Sequence, residues 1–190
     1  MNLIDIGIPS RAIVTETTTN PATSDNIIYS IGRTAIGQIL VARTPVGICA
    51  ILIGSDLDAL KGDLATRFPD RTLISSASQL SDELKKIALF IDRPAERLNL
   101  PLDMRHGTPF QRRVWDALRA IPCGATVTYA ALARRIGMPN SARAVASACA
   151  ANAIALGIPC HRVIRRDGTL SGYRWGVELK RTLIKKEAMA

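Results

Sequence analysis

"TYAALARRIGMPNSARAVASACAAN", residues 128–152, decides how the second half of the chain folds. Thr128 stands where a helix N-cap is wanted, and a run rich in Ala, Leu and Arg carries a helix to "GMPN", where glycine and proline break it. A second helical run follows at once. Helix, tight glycine-containing turn, helix is a helix-turn-helix pattern. Residues 142–151 are almost all Ala, Ser and Val, with Arg143 as the only charge. Side chains that small let a helix backbone come close to another surface, either a packed helix or the groove of a nucleic acid.

Working outward, Pro109 sits at the first position of another helix behind Thr108, and Phe110, Val114, Trp115 and Leu118 form its apolar stripe before Pro122 and Gly124 end it. Upstream, "NIIYSIGRT", "GQILVART" and "GICAILIG" are rich in β-branched residues and separated by Gly- or Pro-containing breaks, which predicts a three-stranded antiparallel meander. Two helices follow, "SDLDALKGDLATRF" with Leu57, Leu60 and Leu64 at helical spacing, and "SQLSDELKKIALFID" with Leu80, Leu84, Ile87 and Phe90 or Ile91. The expectation is an α+β protein: a flexible Thr/Pro/Ser arm over residues 1–23, a small α/β domain over 24–98, and a mostly helical domain over 99–190 entered through the extended stretch "LNLPLDMRHGTP".

Charge divides along the same line. Residues 1–103 carry 10 Lys and Arg against 12 Asp and Glu, a net of −2, whereas residues 104–190 carry 15 against 4, a net of +11. A polyanionic partner docking on the second half, most simply nucleic acid, follows from that asymmetry. With 47% apolar and 22% charged residues the composition is that of a globular domain. No run approaches the roughly 18 apolar residues of a membrane span, and the N-terminus lacks the basic-then-apolar pattern of a secretory signal, so a cytoplasmic location is expected.

The four cysteines, Cys49, Cys123, Cys149 and Cys160, show neither C-x-x-C pairing nor a zinc-site cluster, so no metal is expected. Cys160 stands apart because His161 and Arg162 follow it directly. A thiolate is the reactive form of cysteine, and few free thiols are ionised at neutral pH, so a catalytic Cys needs a base or a positive neighbourhood. Adjacent side chains in an extended segment point to opposite faces. His161 therefore acts on Cys160 through a water or across a sharp local bend. Its other ring nitrogen needs an acceptor, and the basic half offers Asp116, Asp167, Glu178 and Glu187.

Taken in order, "GTPFQRRVWDALRAIPCGATVTYAALARRIG", "ARAVASACAAN", "IPCHRVI" and "GTLSGYRWG" resemble the O6-alkylguanine-DNA alkyltransferase family, and the likeness reaches upstream through "VGICAILIG". The run "SGYRWG", residues 171–176, is shared with a bacterial branch whose members also carry a regulatory half with a four-cysteine zinc site, which is not seen in this chain. The resemblance implies a ribonuclease-H-like first domain and a winged-helix-like second one. It implies repair of O6-methylguanine, with O4-methylthymine as a further candidate, by one irreversible transfer of the alkyl group to the protein itself.

By the same resemblance Cys160 is the acceptor, His161 its base through a water, and Glu187 the acid that orients His161. Tyr129 is the phenol that turns the damaged nucleotide and bonds its base, and Asn152 joins the recognition helix to the active-site turn. Arg143 fills the gap left by the extruded base, with Ser141, Ala142 and Arg166 as further DNA contacts in a minor-groove approach. Val163, Tyr173, Arg174 and Trp175 line the alkyl pocket, where the indole narrows the space. The implied protein is a monomer without cofactor or membrane contact. A non-enzymatic lesion-binding relative is the alternative, and the intact "PCHRV" argues against it.

Overall fold

A computed structural model describes residues 26–94, 98–170 and 172–190, so the arm expected over residues 1–23 lies outside the described residues. Three strands, β1 (Asn26–Thr34), β2 (Gly37–Arg43) and β3 (Ile48–Gly54), form the expected antiparallel meander. A fourth strand corrects the three-stranded expectation. β4 (Thr72–Ser75) pairs in parallel with β1, giving the order β3-β2-β1-β4. Its four residues carry one half-buried and one exposed apolar side chain, Leu73 and Ile74, too little pattern for a periodicity argument.

Helix α1 (Leu57–Arg67) starts at Asp56, whose carboxylate accepts the Asp58 and Ala59 amides. Leu60 and Leu64 bury its inner face as expected, but Leu57 faces outward at the first turn, 38% exposed. Helix α2 (Ser81–Asp92) buries Ile87, Phe90 and Ile91, with Leu80 just ahead of it.

In the second half, α3 (Pro109–Arg119) opens with a complete capping box: the Thr108 hydroxyl accepts the Gln111 amide while the Gln111 side chain accepts the Thr108 amide. Val114, Trp115 and Leu118 are fully buried, and the Trp115 indole N–H donates to the Ala148 carbonyl at 2.9 Å. That carbonyl belongs to α5 (Ala142–Ala150), which α4 (Tyr129–Arg135) precedes across a turn where Gly137 adopts φ +73°. The helix-turn-helix is thus clamped against α3 through a tryptophan. A short parallel pair, β5 (Val127–Thr128) and β6 (Val163–Ile164), and the last helix, α6 (Val177–Ala188), complete the half.

The two halves share one continuous buried core. Strand β3 makes the joint, because its outer edge does not face solvent. Ile48 bridges to Leu102 in the connecting stretch, and Ile51 bridges to Ile154, with the Ile51 amide donating to the Ala153 carbonyl at 2.9 Å and the Ala155 amide to the Ile51 carbonyl at 3.0 Å. A sheet edge that would otherwise offer unpaired backbone groups is used to locate the segment just before Cys160.

Gly107 packs so closely that a Cβ there would sit 2.3 Å from the Trp115 ring. Gly107→Ala is expected to destabilise the protein by about 2 kcal/mol through overpacking, and Thr108→Ala by about 1 kcal/mol through loss of the cap. Urea unfolding of both variants checks the order, which reverses if the tryptophan side yields without cost.

Candidate active site

Cys160 opens a one-turn 3-10 helix, Cys160–Arg162, so the backbone bends sharply at this residue. The turn is held from behind by Asn152, which is fully buried. Its side-chain NH2 donates to the Ile158 carbonyl at 2.9 Å and to the Cys160 sulfur at 3.3 Å, while its carbonyl oxygen accepts the Ile154 amide at 2.8 Å. One amide therefore fixes both the loop and the sulfur. Leu156, with φ +66°, lets the loop reverse within few residues.

His161 is fully buried, and its Nε2 lies 2.8 Å from Glu187 Oε1. A carboxylate there requires the proton on Nε2, which leaves the Nδ1 lone pair as the free basic site. Nδ1 is buried and has no hydrogen-bond partner among the described residues. Arg162 grips the same carboxylate from the other side, Nε to Oε2 at 2.8 Å and Nη2 to Oε1 at 2.9 Å, and its Nη1 donates to the Ile121 carbonyl at 2.5 Å. Burial pushes the Glu187 carboxyl up, but the His161 and Arg162 hydrogen bonds and charges outweigh it and hold it at about 2. Burial lowers His161 in spite of the Glu187 charge, so the ring is a neutral acceptor at physiological pH.

The thiol is pushed up to about 11, chiefly by burial; the Asn152 hydrogen bond and the Lys180 charge act in the opposite direction. Lys180 was not a candidate from the sequence. It is 1% exposed, and its ammonium donates to the Val163 carbonyl at 2.6 Å. In a helix that reads as a solvated basic stretch, nothing marks this lysine as the buried one. Arg162 was expected only as positive surroundings for the sulfur, and its bidentate hold on Glu187 has no local signal either.

Of the four candidate acids, Glu187 alone reaches His161. Glu178 is exposed and pairs with Arg181, Asp167 caps an exposed turn at Thr169, and Asp116 is exposed on α3. Tyr173 stands edge-on to His161, ring centroids 6.4 Å apart, and edge-on to Trp175 at 5.1 Å. Its hydroxyl is buried without a hydrogen-bond partner among the described residues, and burial with the nearby Cys160 and Glu187 charges raises it well above 10. Val163 is buried beside this group, whereas Arg174 is exposed and turned to Asp63, 2.5 Å away.

The expected DNA contacts form a separate set. Arg143 is exposed in the first turn of α5, Ser141 and Ala142 are half-buried at its start, and Tyr129 is half-buried at the start of α4. Arg166 is exposed on the turn after β6. Two cavities lie away from the sulfur: one of about 230 Å³ bounded by residues such as Cys49, Phe68 and His106, and one of about 810 Å³ that meets the turn only through Pro159 and Arg162. Among the described residues no His/Cys/Asp/Glu group is arranged to hold a metal ion, and no helix is long and apolar enough to cross a membrane.

Residues 109–189 match the family described as "6-O-methylguanine DNA methyltransferase, DNA binding domain". A methylated-DNA–protein-cysteine methyltransferase of Candida albicans is 33% identical over 173 residues, covering 86% of this chain and 98% of its own. The bifunctional transcriptional activator/DNA repair enzyme Ada of Escherichia coli is 48% identical over 160 residues, 84% of this chain and 45% of its own, so the chain spans about half the length of that relative. Among solved structures, a Mycobacterium tuberculosis OGT in complex with DNA has a TM-score of 0.73 and 30% identity, covering 85% of this chain and 93% of its own.

Glu187→Gln leaves Arg162 buried without its counter-charge, and a loss of about 3 to 5 kcal/mol is expected. The sign of the pH effect follows from a carboxyl depressed to about 2 in the fold from its ordinary 4.5. Its stabilisation is fully present above 4.5 and disappears as pH falls toward 2. Denaturation followed between pH 6 and 2 is expected to show a shallower acid loss for Glu187→Gln than for the native protein; equal slopes contradict the burial of this charge.

Proposed function

The chain belongs to the O6-methylguanine-DNA methyltransferase family, and on that premise we propose that it repairs DNA by transferring the methyl group of O6-methylguanine, directly and once, to its own Cys160. The observation that carries the reading is the buried line from Glu187 through His161 Nε2 to an Nδ1 without a partner among the described residues, on the residue that directly follows a sulfur held by Asn152. A base with that polarity is of use only to a neighbouring acid, and the thiol is the acid at hand.

In the proposed reaction His161 Nδ1 takes the thiol proton through a water, and the sulfur attacks the methyl carbon in line. The S–C bond forms as the C–O6 bond breaks. The electron pair of that bond goes to O6 and the guanine ring, which takes a proton through the Tyr129 phenol and leaves neutral, while the thiol proton held on His161 passes to solvent and keeps the count balanced. The thioether cannot revert, so each molecule acts once. Glu187 keeps the imidazole in the right tautomer throughout and stabilises the imidazolium that forms.

A guanine O6 inside a duplex does not reach a sulfur that is 5% exposed. The nucleotide is extruded toward Cys160, with Val163 and Tyr173 as the proposed lining of its pocket, at a cost of a few kcal/mol. Arg143 enters the vacated stack from the minor groove, with Ser141, Ala142 and Arg166 on the backbone. The net +11 of residues 104–190 supports this docking face. The reading keeps residues 99–190 as the catalytic and DNA-binding domain and residues 24–98 as its support. It includes a cytoplasmic site of action and a monomer that needs no cofactor.

Cys160→Ala is expected to abolish methyl transfer while methylated duplex is still bound. Mass spectrometry with peptide mapping on the native protein is expected to find a single methyl group on residue 160; a label on Cys49, Cys123 or Cys149, or turnover well beyond one, overturns the assignment. Trp175 is expected to exclude large alkyl groups, so that Trp175→Gly raises the rate with free O6-benzylguanine selectively over that with methylated DNA. Equal benzyl rates in both proteins remove the indole from the pocket wall.

A further inference from the structure

The segment 172–176 has little backbone structure to hold it. Its one internal hydrogen bond runs from the Gly176 amide to the Tyr173 carbonyl at 3.0 Å, and both Gly172 and Gly176 lie in open space, the latter at φ +99°. Its far end is tied to α6, where the Gly176 carbonyl accepts the Lys180 amide at 3.2 Å; ahead of that it is located by the packing of Tyr173 and Trp175 on the core and by Arg174. The guanidinium of Arg174 reaches across 111 residues of sequence to Asp63 Oδ1 on α1, at 2.5 Å. The same oxygen accepts Arg67 Nε at 3.2 Å. Arg67 in turn donates from Nη1 to the Ala151 carbonyl, 3.4 Å away, at the C-terminal end of α5.

One carboxylate of the N-terminal half thus ties together two parts of the site in the other half: the loop bearing Tyr173 and Trp175, and the end of the recognition helix, one residue before Asn152. It also screens two arginines that repel each other without it. We propose that Asp63 is a positioning residue for the alkyl pocket, holding Arg174 so that the Tyr173–Trp175 wall stays closed against bulky alkyl groups. This rests on the reading of that loop as the pocket wall. The pair is partly exposed, 37% at Arg174 and 27% at Asp63, so its effect is a modest bias on the loop and not a lock.

The test compares Asp63→Asn, Arg174→Gln, the double variant and Trp175→Gly, each first shown to melt cooperatively. Loop placement is read by acrylamide quenching of Trp175 fluorescence, to which the fully buried Trp115 contributes little. Size selection is read as the rate with free O6-benzylguanine divided by the rate with methylated duplex. Asp63→Asn is expected to increase quenching and to raise that ratio about fivefold, the scale of a partly exposed ion pair. Asp63→Asn adds nothing further in the Arg174→Gln background, and Asp63→Glu restores the native ratio in large part. Unchanged quenching, or an Asp63→Asn effect that persists without Arg174, overturns the proposal. If Trp175→Gly raises the benzyl rate and Asp63→Asn does not, the pocket wall stands and the role of Asp63 falls. If neither does, the wall reading itself falls and takes the proposal with it.

Discussion

A carboxylate buried at 6% exposure is the constraint around which the C-terminal half is arranged. An ionised Glu187 in that position is tolerable only if its oxygens are satisfied, and three side-chain N–H groups from consecutive residues do so, one from His161 and two from Arg162. That demand explains the 3-10 turn. Only a tight turn sends two adjacent side chains to the same acceptor, and in making it the chain leaves Cys160 facing Asn152. The chemistry and the stability of this region therefore rest on one charge, and a substitution that disturbs it is felt in both.

A second layer of support comes from outside the C-terminal half. The outer edge of β3 takes up the backbone at residues 153–155, and α1 places Asp63 and Arg67 beside the loop and the helix end. The N-terminal half lends no atom to the proposed methyl transfer. Its part is to hold in register segments that are far apart in the chain, which accords with its lack of basic surplus.

What was legible in the sequence was local. The helix start at Thr108 and Pro109, the break at Gly137 and the adjacency of Cys160 and His161 each depend on residues a few positions apart, and each recurs in the structure. The features that escaped depend on tertiary context. β4 is too short and too polar on its faces to announce a strand, Leu57 fits a helical stripe that the first turn of α1 leaves in solvent, and Lys180 is buried in a helix whose other lysines are not. The choice of Glu187 among four acids came from family likeness, since no spacing rule links a histidine to an acceptor 26 residues on. Asp63 carries no sequence signal at all toward Arg174.

The raised Cys160 thiol has a bearing on how such a protein keeps. With its thiol held up by burial, Cys160 is seldom ionised at rest, and the residue is also almost closed to solvent. Soluble alkylating agents and peroxides attack the thiolate and need access to it. On the proposed single transfer, a molecule has no means of recovering from a wasted encounter, so its working lifetime is set by how slowly it is spent on the wrong reagent. The burial that makes the sulfur a poor nucleophile at rest is then its shelf life, and the lesion supplies the occasion on which that inertness ends.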